Sequence, residues 1–321
     1  EFGRIHYENV AYFNFETNPK LNETFEEKIS PDYLIPILSH IAGQTIVKEK
    51  TLIVFDEVQL CERALTSLKY FCEDAPDYHI IVAGSLLGVA VNRAKFSFPV
   101  GKVDMKTLYP MDMEEFMIAV GEDELVEQIK KCFETNRPMP SALHDAAMQL
   151  YRQYLVVGGM PECVMQFVQT GDYILIRHTQ DTILTSYLND MSKYNNLNEI
   201  KKTRLAYDNI TVQLSKKNTR FQYKLIKKGG RASEFENAIE WLCLSGIVSQ
   251  VYRVEQIKKP LENYRDIDAF KIYVSDLGLL CAKKDLVAND ILYMVEELND
   301  FKGGMTENYV NVQLAINGYN T

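Results

Sequence analysis

Tryptophan occurs once in the 321 residues, histidine five times, cysteine six times and proline ten times, and no apolar run is long. The longest uncharged runs, residues 80–91 and 241–252, are interrupted by Gly and Ser. A membrane-spanning helix needs about twenty apolar residues, so neither a membrane segment nor a signal peptide is read. Cys61, Cys72, Cys132, Cys163, Cys243 and Cys281 include no C-x-x-C, and none pairs with a His at zinc-ligand spacing. Disulfide scaffold and zinc module are thereby set aside, and the thiols read as reduced packing residues of a cytoplasmic protein. The histidines form no nucleophile–base pair.

What is present is the balance of a globular protein, 46% apolar and 25% charged, with length for about two domains. Residue 1 is Glu rather than Met, and the chain stops at Thr321 directly after an amphipathic pattern, so the sequence reads as an internal fragment. The net charge of −9 is uneven. Residues 1–170 carry 25 acidic and 15 basic side chains, whereas residues 193–231 carry eleven Lys/Arg against Glu199 and Asp208. One basic block in an acidic chain suggests an anionic contact, or else a solvated helical face.

Along the chain, residues 10–15, 51–55 and 79–83 read as strands and 31–42 and 60–72 as helices, with a short helix from Ser85 and a last strand over 103–108. This alternation predicts an α/β fold with a doubly wound parallel sheet. Helical patterns follow over 111–128, 141–156, 162–169 and 172–189. Residues 201–214 and 221–228 read as short basic helices. Ser233 and Glu236 then make a capping-box pair ahead of a helix ending at Gly246, and 247–254 and 269–274 alternate like a hairpin. Three short helices and a hairpin follow the order of a winged helix.

The sharpest chemical signal is Leu52-Ile-Val-Phe-Asp56-Glu57, an apolar strand ending in two carboxylates. On a phosphate-handling sheet the first can hold Mg²⁺ and the second can deprotonate water. The structural alternative is a helix cap with a dipole-complementing Glu. The next strand ends in Gly84-Ser85, which puts a hydroxyl on the same sheet edge.

These residues resemble a family of prokaryotic AAA-type (P-loop) ATPases that carry a C-terminal winged-helix region and usually a restriction-endonuclease-like domain. Tyr12-Phe-Asn-Phe-Glu16 looks like the family's second strand, Phe55-Asp-Glu-Val-Gln59 like its Walker B and Ala83-Gly-Ser85 like sensor 1. Leu108-Tyr-Pro-Met-Asp-Met-Glu-Glu-Phe116, Tyr154-Leu-Val-Val-Gly-Gly-Met-Pro-Glu162, Lys271-Ile-Tyr-Val-Ser-Asp-Leu-Gly-Leu279 and Gly304-Met-Thr-Glu-Asn-Tyr-Val310 are similar to later family motifs, in order. The resemblance implies ATP and Mg²⁺ as cofactors, Asp56 as the metal carboxylate, Glu57 as catalytic base and Ser85 as sensor. Lys102 stands where relatives often carry Arg, a candidate for phosphate. No G-x-x-x-x-G-K-S/T occurs, and the resemblance places that loop upstream of Glu1, so this piece is expected to bind ATP poorly.

The domains expected are a truncated ATPase core over 1–110, a helical connector over 111–195, a winged helix over 196–285 and the start of a further domain over 286–321. Lys216, Lys217, Arg220, Lys224, Lys227, Lys228 and Arg231, with Phe221 and Tyr223 among them, are candidate DNA-phosphate contacts. The function expected is Mg²⁺-dependent ATP hydrolysis in the full-length protein. The alternative is a nucleic-acid-binding or protein-interaction module that uses nucleotide only as a switch. No membrane partner is expected, and the oligomeric state stays open.

Overall fold

A computed structural model describes residues 1–84, 99, 101–193, 197–216 and 220–319. The chain forms two compact units, residues 1–107 and 108–321. Among the described residues no helix is long and apolar enough to cross a membrane, and the six cysteines are free thiols.

The first unit holds α1 (Phe2–His6), β1 (Asn9–Asn14), α2 (Lys20–Glu27), α3 (Pro31–Ala42), β2 (Thr51–Asp56), α4 (Glu62–Asp74) and β3 (His79–Val82). The strands are parallel in the order β1-β2-β3, with Asn14 in register with Asp56. Parallel strands need crossovers, which α2–α3 and α4 supply. Pro31 starts α3, where a missing N–H costs nothing, and Gly43 ends it at φ 65°. The face bearing Ala11, Phe13, Ile53 and Phe55 packs against Leu21, Phe25, Leu34, Leu38, Leu68 and Phe71 from the helices. Phe55 sits at the middle of an edge-to-face cluster, its ring 5.9, 5.7 and 5.7 Å from those of Phe13, Phe15 and Phe25. Such pairs contribute about 1 kcal/mol each beyond burial, which anchors the end of β2.

Double winding puts helices on both faces of a sheet; among the described residues the crossover helices α2, α3 and α4 pack on this one. On the other, α1 approaches the amino ends of the strands, where Gly3 admits no side chain beside Val10 and Leu52, while Tyr12 and Ile81 are exposed. The strand expected over 103–108 does not form. An extended run becomes a strand only when a neighbour completes its ladder, and no described strand lies beside this one. Val103 packs on the core from a loop, and Leu108 is exposed. The helix expected from Ser85 lies outside the described residues.

The second unit is mostly helical: α5 (Met113–Ala119), α6 (Asp123–Glu134), α7 (Ser141–Val157), α8 (Pro161–Thr170), α9 (Tyr173–Lys193), α10 (Leu197–Leu214), α11 (Tyr223–Ile226) and α12 (Ala232–Leu244) precede the hairpin β4 (Val248–Val254) and β5 (Arg265–Val274). After it come α13 (Leu277–Lys283), α14 (Ala288–Leu292) and α15 (Asn299–Ile316). The single helix expected over 111–128 is two, because Gly121 adopts φ 85° between α5 and α6. Asp112 and Glu115 form a reciprocal capping box on α5. The one expected at Ser233 is absent. The α12 helix already begins at Ala232 after Arg231, so the Ser233 side chain stands inside the first turn. At the other end Gly246, at φ 73°, closes α12 as expected, with Gly246 N–H on the Cys243 carbonyl and Ile247 N–H on that of Leu242.

The later motifs of the sequence meet one another here. Asp276 caps α13, one carboxylate oxygen accepting from Leu279 N–H at 2.8 Å and the other from Gly159 N–H at 2.6 Å. A side chain on Gly158 would collide with this carboxylate, and one on Gly278 with the Val157 carbonyl and Gln180, whose Nε2 donates to the Val156 carbonyl at 2.8 Å. Gly159 in turn accepts from Met111 N–H at 2.7 Å, and the Tyr154 hydroxyl donates to the Met111 carbonyl at 2.8 Å. The Asn308 amide exchanges two 2.8 Å hydrogen bonds with the Val274 backbone, completing the edge of β5, and Glu307 pairs with Lys271 at 2.6 Å.

Asp276 is buried, and burial raises its carboxyl from 3.8 to about 6 against the opposing backbone N–H bonds. A native value above the unfolded one means that this group's contribution to stability is fully present below about pH 3.8 and is lost as pH rises through about 6. Asp276→Asn leaves one N–H unpaired and should cost about 1–3 kcal/mol at pH 7. Urea midpoints should show the wild type's advantage over this variant widening as pH falls from 7 to 4. Gly159→Ala, whose methyl would stand 2.0 Å from the Met111 carbonyl oxygen, should lower the midpoint at least as far.

Candidate functional site

In a parallel sheet, ligands bind outside the carboxyl ends of the strands. Asn14 and Asp56 stand side by side at that edge, on β1 and β2, and the backbone of Ala83 continues β3 beside them, its N–H donating to the Phe55 carbonyl at 2.8 Å.

Asp56 is held by three donors. Its Oδ2 accepts from the Tyr12 hydroxyl and, at 3.0 Å, from Asn14 Nδ2, while Oδ1 accepts from Glu57 N–H at 3.0 Å. Tyr12 and Asn14 are two residues apart on β1 and so project from one face of the sheet. The hydrogen bond to Asp56 raises the pKa of the Tyr12 hydroxyl, and the nearby charges of Asp56 and Glu57 act in the same direction. Asn14 also orders the loop beyond β1, its Oδ1 accepting from the backbone N–H groups of Glu16 and Thr17, both at 2.9 Å. Asn14 and Gln59 are the site residues that reading for carboxylates and hydroxyls misses. Their signal was in the quoted motifs, which contain both.

Glu57 adopts φ 52°, a left-handed conformation uncommon for a side-chain-bearing residue. This sharp bend ends β2 and starts a 3₁₀ turn, Val58–Leu60, which Val58 N–H ties to the Ala83 carbonyl at 3.2 Å. Gln59 Nε2 donates to Glu57 Oε2 at 2.5 Å. The two carboxylates are therefore held differently, Asp56 on a strand end by three donors and Glu57 on a turn by an amide.

Of the other candidates, Ser85 lies outside the described residues. Lys102 pairs with Glu73 at 3.1 Å in the last turn of α4. It therefore stands at the end of that helix remote from the turn that carries Glu57. In the second unit Lys216, Arg220, Lys224, Lys227, Lys228 and Arg231 are exposed, and Lys227 pairs with Glu234 at 3.1 Å. Lys217 lies outside the described residues. The aromatics of this block face inward: Phe221 is buried and stacks on Phe270 at 5.7 Å, with Tyr223 edge-on to it. The helix that follows exposes Ser233, Glu236, Asn237 and Glu240, none of them basic.

Residues 1–117 match the family model described as AAA domain, and residues 148–290 match one described as Domain of unknown function (DUF8612). No curated protein matches the chain. Among solved structures, a Walker-type ATPase of Pyrococcus abyssi is similar over 86% of this chain and 84% of its own, at 12% identity and a TM-score of 0.46. The N-terminal residues are thus similar to AAA domains.

An AAA-type site implies a nucleotide and a magnesium ion. Among the described residues no three His, Cys, Asp or Glu side chains cluster as a metal cage. Magnesium does not require one, since it keeps several waters and takes one or two carboxylates together with phosphate oxygens. Asp56 fits that demand, because among the described residues its Oδ1 carries a single backbone hydrogen bond and has a further lone pair to offer.

Asn14→Ala should destabilise the protein by about 1–3 kcal/mol, since it removes a donor to a carboxylate and two loop hydrogen bonds. Asn14→Asp keeps the loop acceptor but sets a second carboxylate against Asp56. Its loss, read from urea midpoints, should be greatest at neutral pH and should recover on acidification, whereas that of Asn14→Ala should vary little.

Proposed function

We propose that this chain contributes the metal- and water-handling half of an ATP-hydrolysing site, and that the full-length protein is a Mg²⁺-dependent AAA-type ATPase. The observation that carries this reading is the Asp56–Glu57 corner: two adjacent carboxylates at the carboxyl edge of a parallel sheet, one pinned by three donors and one on a strained turn. Asp56 would hold the magnesium ion, which when bound neutralises charge on the phosphate oxygens. Glu57 accepts a proton from the attacking water at its carboxylate. Ser85, on the chain that follows β3, is proposed to contact the terminal phosphate.

The second unit is proposed to couple a winged-helix module to this site. The order of α10, α11, α12 and the β4–β5 hairpin supports that reading, as does the backbone hydrogen bond from Phe221 N–H to the Phe270 carbonyl at 2.7 Å, which brings the segment before α11 alongside the hairpin. Exposure of six basic residues between Lys216 and Arg231 favours a second reading, contact with nucleic-acid phosphates. The acidic outer face of α12 makes such contact blind to base sequence, made through the basic segment and not through that helix.

ATP turnover by the full-length protein is expected to fall at least 100-fold in Glu57→Gln, with nucleotide binding retained, and Asp56→Asn should remove the response to Mg²⁺. Unchanged turnover in Glu57→Gln would sink the assignment of the base. For the second reading, a duplex DNA titration should show affinity dropping about 10-fold or more between 50 and 200 mM salt. The double charge reversal Lys224→Glu, Lys228→Glu should abolish binding for all duplex sequences alike.

A further inference from the structure

The two carboxylates of the site differ in how firmly they are held, and the difference falls on Gln59. This residue sits in the 3₁₀ turn after Glu57 and is 9% exposed. Its backbone is fixed on both sides: Val58 N–H reaches the Ala83 carbonyl, and Cys61 N–H closes on the Val58 carbonyl at 2.9 Å. Its amide nitrogen is committed to Glu57 Oε2, while its Oε1 is buried and receives no donor among the described residues. An amide can usually turn over and exchange its two ends, and its neighbours decide which way it lies. Here one end meets a carboxylate and the other meets no donor among the described residues. The charge on Glu57 is therefore what orients the Gln59 amide, and the amide holds Glu57 in return.

A glutamate side chain has three rotatable bonds, and holding it in one rotamer costs up to about 2 kcal/mol of entropy. A base that waits for water in several rotamers spends little time aligned with it. We propose that Gln59 is the positioning residue for Glu57: its amide occupies Oε2, keeps the carboxylate in one rotamer and leaves Oε1 as the oxygen that meets the water. This rests on Glu57 being the base, as proposed above. The turn geometry adds a constraint, because the left-handed backbone at Glu57 brings its side chain back over its own turn, within reach of residue 59.

The test uses the full-length protein with Gln59→Met, which keeps length and flexibility but lacks the amide, and Gln59→Glu, which keeps the shape and replaces the donor with a like charge. Both should lower kcat about 10- to 100-fold with KM for ATP within about twofold, since a positioning contact acts on the chemical step more than on substrate binding. Crystal structures of the variants without nucleotide should show Glu57 in more than one rotamer, or turned away, where the wild type shows one. Wild-type kcat in both variants, or a single wild-type rotamer of Glu57 in both, would overturn the proposal. Full turnover in Glu57→Gln would instead overturn the reading of the base itself, which separates the two failures.

Discussion

The second unit depends on one buried carboxylate. Asp276 has almost no contact with water, and a charge in such a place survives only when backbone dipoles surround it. Gly159 and Leu279 donate to it directly, and the N–H groups of Met160 and Gly278 favour its charged form. These donors can converge only because Gly158, Gly159 and Gly278 lack side chains, so that the end of α7, the start of α8 and the start of α13 approach at backbone distance. The same junction extends through Gly159 and Tyr154 to Met111, and through Gln313 to Tyr154 and Met113. Segments separated by up to some two hundred positions in sequence are joined by these hydrogen bonds.

The first unit follows the same economy at the carboxyl edge of its sheet. The phenylalanine cluster around Phe55 fixes the end of β2, and Tyr12 and Asn14 fix the carboxylate that emerges from it. Rigidity in Asp56 would suit the metal ligand proposed for it. Glu57, the proposed base, sits on the turn and takes its hold from the Gln59 side chain.

Much of this was legible in the chain. The apolar run 51–55 ending in Asp-Glu located the strand β2, and the helix read over 31–42 matches the bounds of α3. These features depend on residues close in sequence, where propensity and chain geometry suffice. The start of α12 was misplaced, because Ser233 and Glu236 satisfy the capping pattern but the helix begins one residue before Ser233. The run 103–108 was misread as a strand, since alternation describes a strand's faces and says nothing of whether a neighbour completes its ladder. Phe221 and Tyr223 read as interleaved with the basic block, yet stacking on Phe270, some fifty positions on, turns them inward.

Sequence alone determined which chemistry is available: two carboxylates at the end of a buried strand, a following hydroxyl and a basic segment in an acidic chain. Tertiary structure decided what each group is tied to. Asp56 gained its donors because parallel pairing sets Asn14 beside it in register, and Lys102 is paired with Glu73. The glycine and aspartate motifs, chemically mute in sequence, proved to be one junction. The physical reason is that residue type and local spacing act over a few positions, whereas a hydrogen bond to a buried carboxylate depends on which backbones the fold brings within about 3 Å of it.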